Sequence, residues 1–158
     1  MGSLRRHLPD HATIMHALTI MYLETFENSM SKLVAASDAE RWHDPISHLV
    51  EAIGDIYRSE PGFRALWHNR FHDESVRQAT RTHKLWIAAD WKTVLCAQLL
   101  ASQEAARVDA VSRTAQLMTD ALLREAFQIA PSGDRNLLQE AKTALRGYLN
   151  TYVTEAGN

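Results

Sequence analysis

The chain has 158 residues, enough for one domain with a sizeable core, and its 46% hydrophobic and 23% charged residues are ordinary for a soluble globular protein. A formal charge of −2 excludes bulk attraction to nucleic acid or to anionic membranes. The single cysteine, Cys96, excludes an intrachain disulfide and fits a reducing compartment. No apolar run approaches the ~20 residues needed to span a bilayer, and "LRRHLPDH" is basic and broken by Pro9, so it has no signal-peptide core. The expected location is the cytoplasm, with no membrane partner.

In chain order, Asp10 is the expected N-cap of a first helix that runs to about Ala36. Ile14, Met15, Leu18, Met21, Tyr22, Phe26, Met30 and Leu33 recur along it at steps of three and four. After the polar stretch "ASDAERWHD", Asp44-Pro45 reads as a cap followed by proline at the first helical position, where a missing N–H costs nothing. The second helix carries Ile46, Leu49, Val50, Ile53, Ile56 and Tyr57, and ends near Arg58. "SEPG" (Ser59 to Gly62) then ends one helix and opens a short third one with Phe63, Leu66, Trp67 and Arg70.

A fourth helix is predicted from about Asp73 to Ser102, through Val76, Ala79, Leu85, Trp86, Trp91, Val94, Leu95 and Leu99. The fifth spans about Glu104 to Ala130 and is closed by "PSGD", Pro131 to Asp134. The sixth runs from Arg135 to about Thr154. No strand-like alternation of useful length separates these segments, so the expected fold is an all-α, six-helix bundle without repeats or a domain linker.

The fifth helix is apolar around most of its circumference, and a C-terminal helix usually frays unless it is docked. These two features predict a two-fold homodimer interface carried by Leu117, Leu138, Leu145, Leu149 and Tyr152. The plainer alternative is that both helices fill one monomeric core.

Chemistry-bearing patterns are sparse. His68 and His72 lie at i and i+4 beside Asp73 and Glu74, but spacing fixes no third metal ligand, and a polar helix junction explains them better. A lone Glu40-x-x-His43 lacks the second copy that a di-iron bundle needs. Neither a nucleophile elbow nor a glycine-rich phosphate loop occurs. Cys96, between Leu95 and Ala97, reads as a buried, inert thiol, and Asp90 as solvent-facing. Neither catalysis nor a resident metal or cofactor is expected. The aromatic and methionine side chains gathered in the first four helices suit an apolar cavity for a small molecule, although core packing suffices for any one of them.

"LRRHLPDHATIMHAL" resembles the segment of TetR-family transcriptional repressors where the recognition helix ends and the connecting helix begins. Leu4 stands at the usual aromatic position, Leu8 at the phenylalanine, and His11 at the lysine that touches phosphate. "YRSEPGFRALW" is similar to a stretch between the second and third helices of that family's regulatory domain. The last two helices fall where the family builds its dimer interface.

The resemblance implies an effector-binding and dimerisation domain over residues 10–155, with 1–9 the remnant of the DNA-binding region or an expression scar. By their placement in the first four helices, Tyr22, Phe26, Tyr57, Phe63, Trp67 and Trp86 are the residues expected around a small apolar or aromatic effector. The resemblance implies that the Pro-Gly corner folds a short helix under that cavity. It also implies that operator DNA is reached only through a helix-turn-helix domain missing from this chain, since Arg5, Arg6 and His7 are its one local basic cluster. A stand-alone metal- or haem-binding bundle and a ligand-free dimerising adaptor are the rival readings.

Overall fold

The computed structural model describes residues 11–60, 62, 74–101 and 103–153. Among these, the chain forms α1 (His11–Ala39), α2 (Pro45–Ser59), α3 (Glu74–Leu95) continued by a π-helical turn (Cys96–Leu100), α4 (Ala105–Ile129) and α5 (Arg135–Val153). The all-α expectation holds for these residues. The predicted short third helix with Phe63 and Trp67, the His68–His72 pair, the Asp10 cap and residues 1–9 lie outside the described residues.

Local chemistry explains the boundaries. Asp44 Oδ1 accepts the Ser47 backbone N–H at 3.1 Å, and Pro45 occupies the first turn of α2. Burial pushes the Asp44 carboxyl up, but the Ser47 backbone and hydroxyl hydrogen bonds and the Arg146 guanidinium outweigh it and hold it down to about 2. Between α4 and α5, Gly133 adopts φ +84°, its N–H donates to Ala130 at 2.9 Å, and Asp134 N–H donates to Ala126 at 2.8 Å. Asp134 Oδ1 then caps α5 by accepting the Leu137 N–H at 2.8 Å.

The π turn is a departure from the unbroken helix predicted to Ser102. Its freed carbonyls find partners in the α1–α2 connection. Arg41 Nη1 donates to the Ala97 and Gln98 carbonyls at 2.7 and 2.6 Å. Gln98 returns the contact: its Oε1 accepts the Trp42 N–H, and its Nε2 donates to the Ser37 and Glu40 carbonyls.

α1 packs on α3, α4 on α5, and α3 on α4, while α2 lies against α5. Met30, Val50, Trp91, Val94, Leu95, Leu123, Leu145 and Leu149 are the centre of a continuous core. Two expectations change here. On α1 the buried stripe is Thr19, Leu23, Phe26, Met30, Leu33 and Ser37, whereas Ile14, Leu18 and Met21 are exposed. On α5, Leu138, Leu145 and Leu149 are buried within the chain's own core, so they are not free to form an intersubunit surface. The stripe that looked available to a second copy is the one by which α5 packs on α4 and α2. Of the predicted interface residues, Leu117 is exposed and Tyr152 half-buried.

Candidate functional site

Four helices converge on one apolar cavity. Phe26 comes from α1, Ile53 and Tyr57 from α2, Lys84, Ile87 and Trp91 from α3, and Gln116, Thr119, Asp120 and Leu123 from α4. Each helix contributes by its own period: Lys84, Ile87 and Trp91 follow at steps of three and four, as do Gln116, Thr119 and Leu123. The cavity measures about 30 Å³. That is room for one or two waters and far below the ~300 Å³ at which small-molecule pockets begin, so a ligand enters only by moving side chains.

Its walls are rigid on one side. Tyr57 stacks on Phe127 with centroids 4.9 Å apart and planes at 16°, and the Arg58 guanidinium sits 5.7 Å from the Phe127 ring. Burial raises the Tyr57 hydroxyl's pKa, with the Asp120 carboxylate adding to the effect, so the phenol stays protonated. Phe26 meets His83 edge to face at 5.5 Å, and His83 Nδ1 lies 3.0 Å from Glu27 Oε1. Burial lowers the His83 pKa against the opposing pull of Glu27 and Asp90. Asp90 itself is half-buried, and burial raises its carboxyl, reinforced by Glu27.

The polar end of the cavity was not anticipated. Thr119 donates to the Ala115 carbonyl at 2.9 Å. Asp120 is engaged by Arg124 one turn on. Gln116 is 6% exposed and lines the cavity, yet its amide makes no hydrogen bond to any described residue. Its polar atoms are not among the fully buried side-chain atoms that lack a partner, so the amide keeps some accessible surface from which it can donate. Lys84, on the opposite helix, has no carboxylate partner among the described residues.

The six ligand residues expected from sequence therefore divide. Phe26 and Tyr57 line the cavity. Tyr22 is not in the lining; it packs half-buried against the core with its ring against Gly62, where a Cβ would overlap the hydroxyl. Trp86 is a correction: it is 64% exposed and faces away. The inward positions of that helix are His83, Ile87, Trp91 and Val94, and Trp86 stands one residue, about 100°, out of phase with Ile87. Phe63 and Trp67 lie outside the described residues. Sequence reasoning missed Lys84, Gln116, Thr119 and Asp120. A signal for two of them existed, since Ser112, Gln116 and Thr119 interrupt the apolar stripe of Val108, Ala115 and Leu123 with polar side chains.

Elsewhere, open grooves run along the α1–α2 connection, beside the π turn and around the α4–α5 turn. Cys96 is half-buried beside the second of these, and burial pushes its thiol up, with Lys92 opposing, which keeps it protonated. Among the described residues, no group of three or more His, Cys, Asp or Glu side chains is placed to hold a metal. No described helix is long and apolar enough to cross a membrane.

Neither the curated proteins nor the solved structures include a match to this chain. A family model does match: "Tetracyclin repressor-like, C-terminal domain" aligns with residues 40–153, which takes in α2 through α5 and most of the cavity's lining. By that match the chain belongs to the family of tetracycline-repressor-like C-terminal domains, which are regulatory rather than catalytic.

Proposed function

We propose that this chain is the effector-binding and dimerisation domain of a TetR-like transcriptional repressor, acting in the cytoplasm on a small apolar or aromatic effector. The observation that carries this reading is the cavity between α1, α2, α3 and α4, apolar on most of its wall and lined also by Lys84, Gln116, Thr119 and Asp120. Entry of a ligand displaces Phe26 and with it α1. The far end of α1 holds by few buried residues, since Ile14, Leu18 and Met21 are exposed. In such repressors the DNA-binding heads precede this helix, so a tilt of α1 changes their spacing across a dimer.

The dimer itself rests on the outward faces of α4 and α5. Ala110, Thr114, Leu117 and Ala121 are exposed on α4, and Ala144, Gly147 and Thr151 on α5. These side chains are uncharged and, Leu117 apart, small, which lets two helix pairs approach closely around a two-fold axis with Leu117 as the apolar contact.

A thermal-shift screen against apolar and aromatic compounds tests the effector reading. A true ligand at 100 times its dissociation constant adds about 2.7 kcal/mol of stability. Hits that also shift a cavity-blocked variant such as Leu123→Trp by the same amount would count against the cavity.

A further inference from the structure

We propose that the effector is an apolar acid, an aromatic or medium-chain carboxylate whose head group is received jointly by Lys84 and Gln116. This rests on the effector-binding reading above and goes beyond it by assigning the ligand's charge. Three observations carry it.

The first is Lys84. It lines the cavity from α3 and forms no ion pair with any described residue, whereas Lys92, Lys142, Arg58, Arg124 and Arg146 each have a carboxylate partner. The second is Gln116, which is 94% buried, borders the same cavity from α4, and has an amide with no hydrogen-bond partner among the described residues. An ammonium and an amide N–H₂ are both donors, and a carboxylate has two oxygens with which to accept from them. The third is Asp120, the one acidic side chain in the lining. Arg124 engages it one helical turn away, so its charge is neutralised before a ligand arrives. The cavity's polar end is left with a net positive charge and a free donor. A cationic ligand meets Lys84 in repulsion, and a neutral one gains no charge-assisted hydrogen bond from its ammonium. The remainder of the lining (Phe26, Ile53, Tyr57, Ile87, Trp91, Leu123) accepts an aromatic ring or an alkyl chain.

The experiment is a set of calorimetric titrations of the whole chain with benzoate, 4-butylbenzoate, octanoate and decanoate, each beside its carboxamide and its amine. At least one acid is expected to bind the parent tenfold or more tightly than its amide and amine. Lys84→Met should weaken that acid by tenfold or more and leave the amide within threefold. Gln116→Glu, which sets a carboxylate where the ligand's head would lie, should abolish acid binding and favour the amine. Because Lys84 is only half-buried, Lys84→Met should fold, and its melting temperature checks this. Amides or amines binding the parent as well as the acids would overturn the proposal while leaving the cavity as an effector site. Equal loss of acid and amide in Lys84→Met would also overturn it, by making Lys84 a structural residue. Failure of every compound to bind parent and variants alike would count against the effector reading itself, and the inference would fall with it.

Discussion

The side-chain amide of Gln98, in the π turn after α3, donates to the Ser37 carbonyl in the last turns of α1 at 2.7 Å. With Arg41 reaching the Ala97 and Gln98 carbonyls, this fastens the C-terminal end of α1 to α3. Phe26, eleven residues back along α1, touches the cavity. A helix rises about 1.5 Å per residue, so if α1 pivots at Ser37 a displacement at Phe26 grows about 2.4-fold by His11. The clamp and the cavity thus form a lever in the proposed mechanism.

Gln98→Ala should therefore weaken both fold and coupling. The substitution strips partners from the Trp42 N–H and from the Ser37 and Glu40 carbonyls. Unpaired buried polar groups cost about 1–3 kcal/mol each, reduced where water reaches them, so a loss of about 2–4 kcal/mol is expected in chemical denaturation. A loss below about 1 kcal/mol would mean that the π turn is not an anchor.

Two glycines should respond in opposite directions. A Cβ at Gly133 meets Leu138 at 2.8 Å and Phe127 at 3.0 Å, on a backbone at φ +84°. Gly133→Ala is expected to destabilise by about 1–3 kcal/mol. Gly147 lies inside α5 with open space around its missing Cβ within the single chain, so Gly147→Ala should stabilise the isolated protomer by about 0.5–1 kcal/mol, measured on the monomeric Leu117→Glu background. Destabilisation in the parent alone would instead indicate that another surface already presses on that position.

What the sequence made legible was local. Asp44-Pro45 and Pro131 to Asp134 mark helix ends because a cap, a proline and a left-handed glycine act within four residues. The phase of a long helix is harder to read. Trp86 and Ile87 are adjacent, and aromatic bulk suggested the wrong one as inward. Leu145 and Leu149 show how a stripe reveals that a helix packs but not what it packs on. The polar end of the cavity was hidden for another reason. Lys84 and Gln116 are residue types that ordinarily face solvent, and only the convergence of α3 with α4 brings them to one cavity.

Assembly can be tested by choosing the two kinds of leucine. Leu145 is 1% exposed within the chain, so Leu145→Asp should unfold it by burying an unpaired charge. Leu117 is 47% exposed, so Leu117→Glu should keep the fold and, if α4 contributes to the interface, convert dimer to monomer. Sedimentation with circular dichroism separates the outcomes. A folded dimer in Leu117→Glu would move the interface elsewhere.

The Asp44 carboxyl, held down at about 2 against an ordinary 3.8, sets an acid limb. Its folded value lies below its unfolded value, so the stabilisation is complete above about pH 4 and is lost as pH falls towards 2. Its side chain is 38% exposed, so solvent screening keeps the effect modest. Asp44→Asn keeps a capping oxygen but cannot titrate. The stability gap between parent and Asp44→Asn should close between pH 4 and pH 2 in thermal melts, and a constant gap would contradict the assignment. At neutral pH, Asp44→Ala should cost about 1 kcal/mol, the usual worth of an N-cap.

The most direct test of the effector cavity is hydrogen exchange, read by mass spectrometry, with and without a compound that raises the melting temperature. The account predicts ligand protection in the segments carrying Phe26, Ile53 to Tyr57, Lys84 to Trp91 and Gln116 to Leu123, with altered exchange along the N-terminal half of α1. Protection confined to the open groove by Trp42 and His48, with these four segments unchanged, would contradict it.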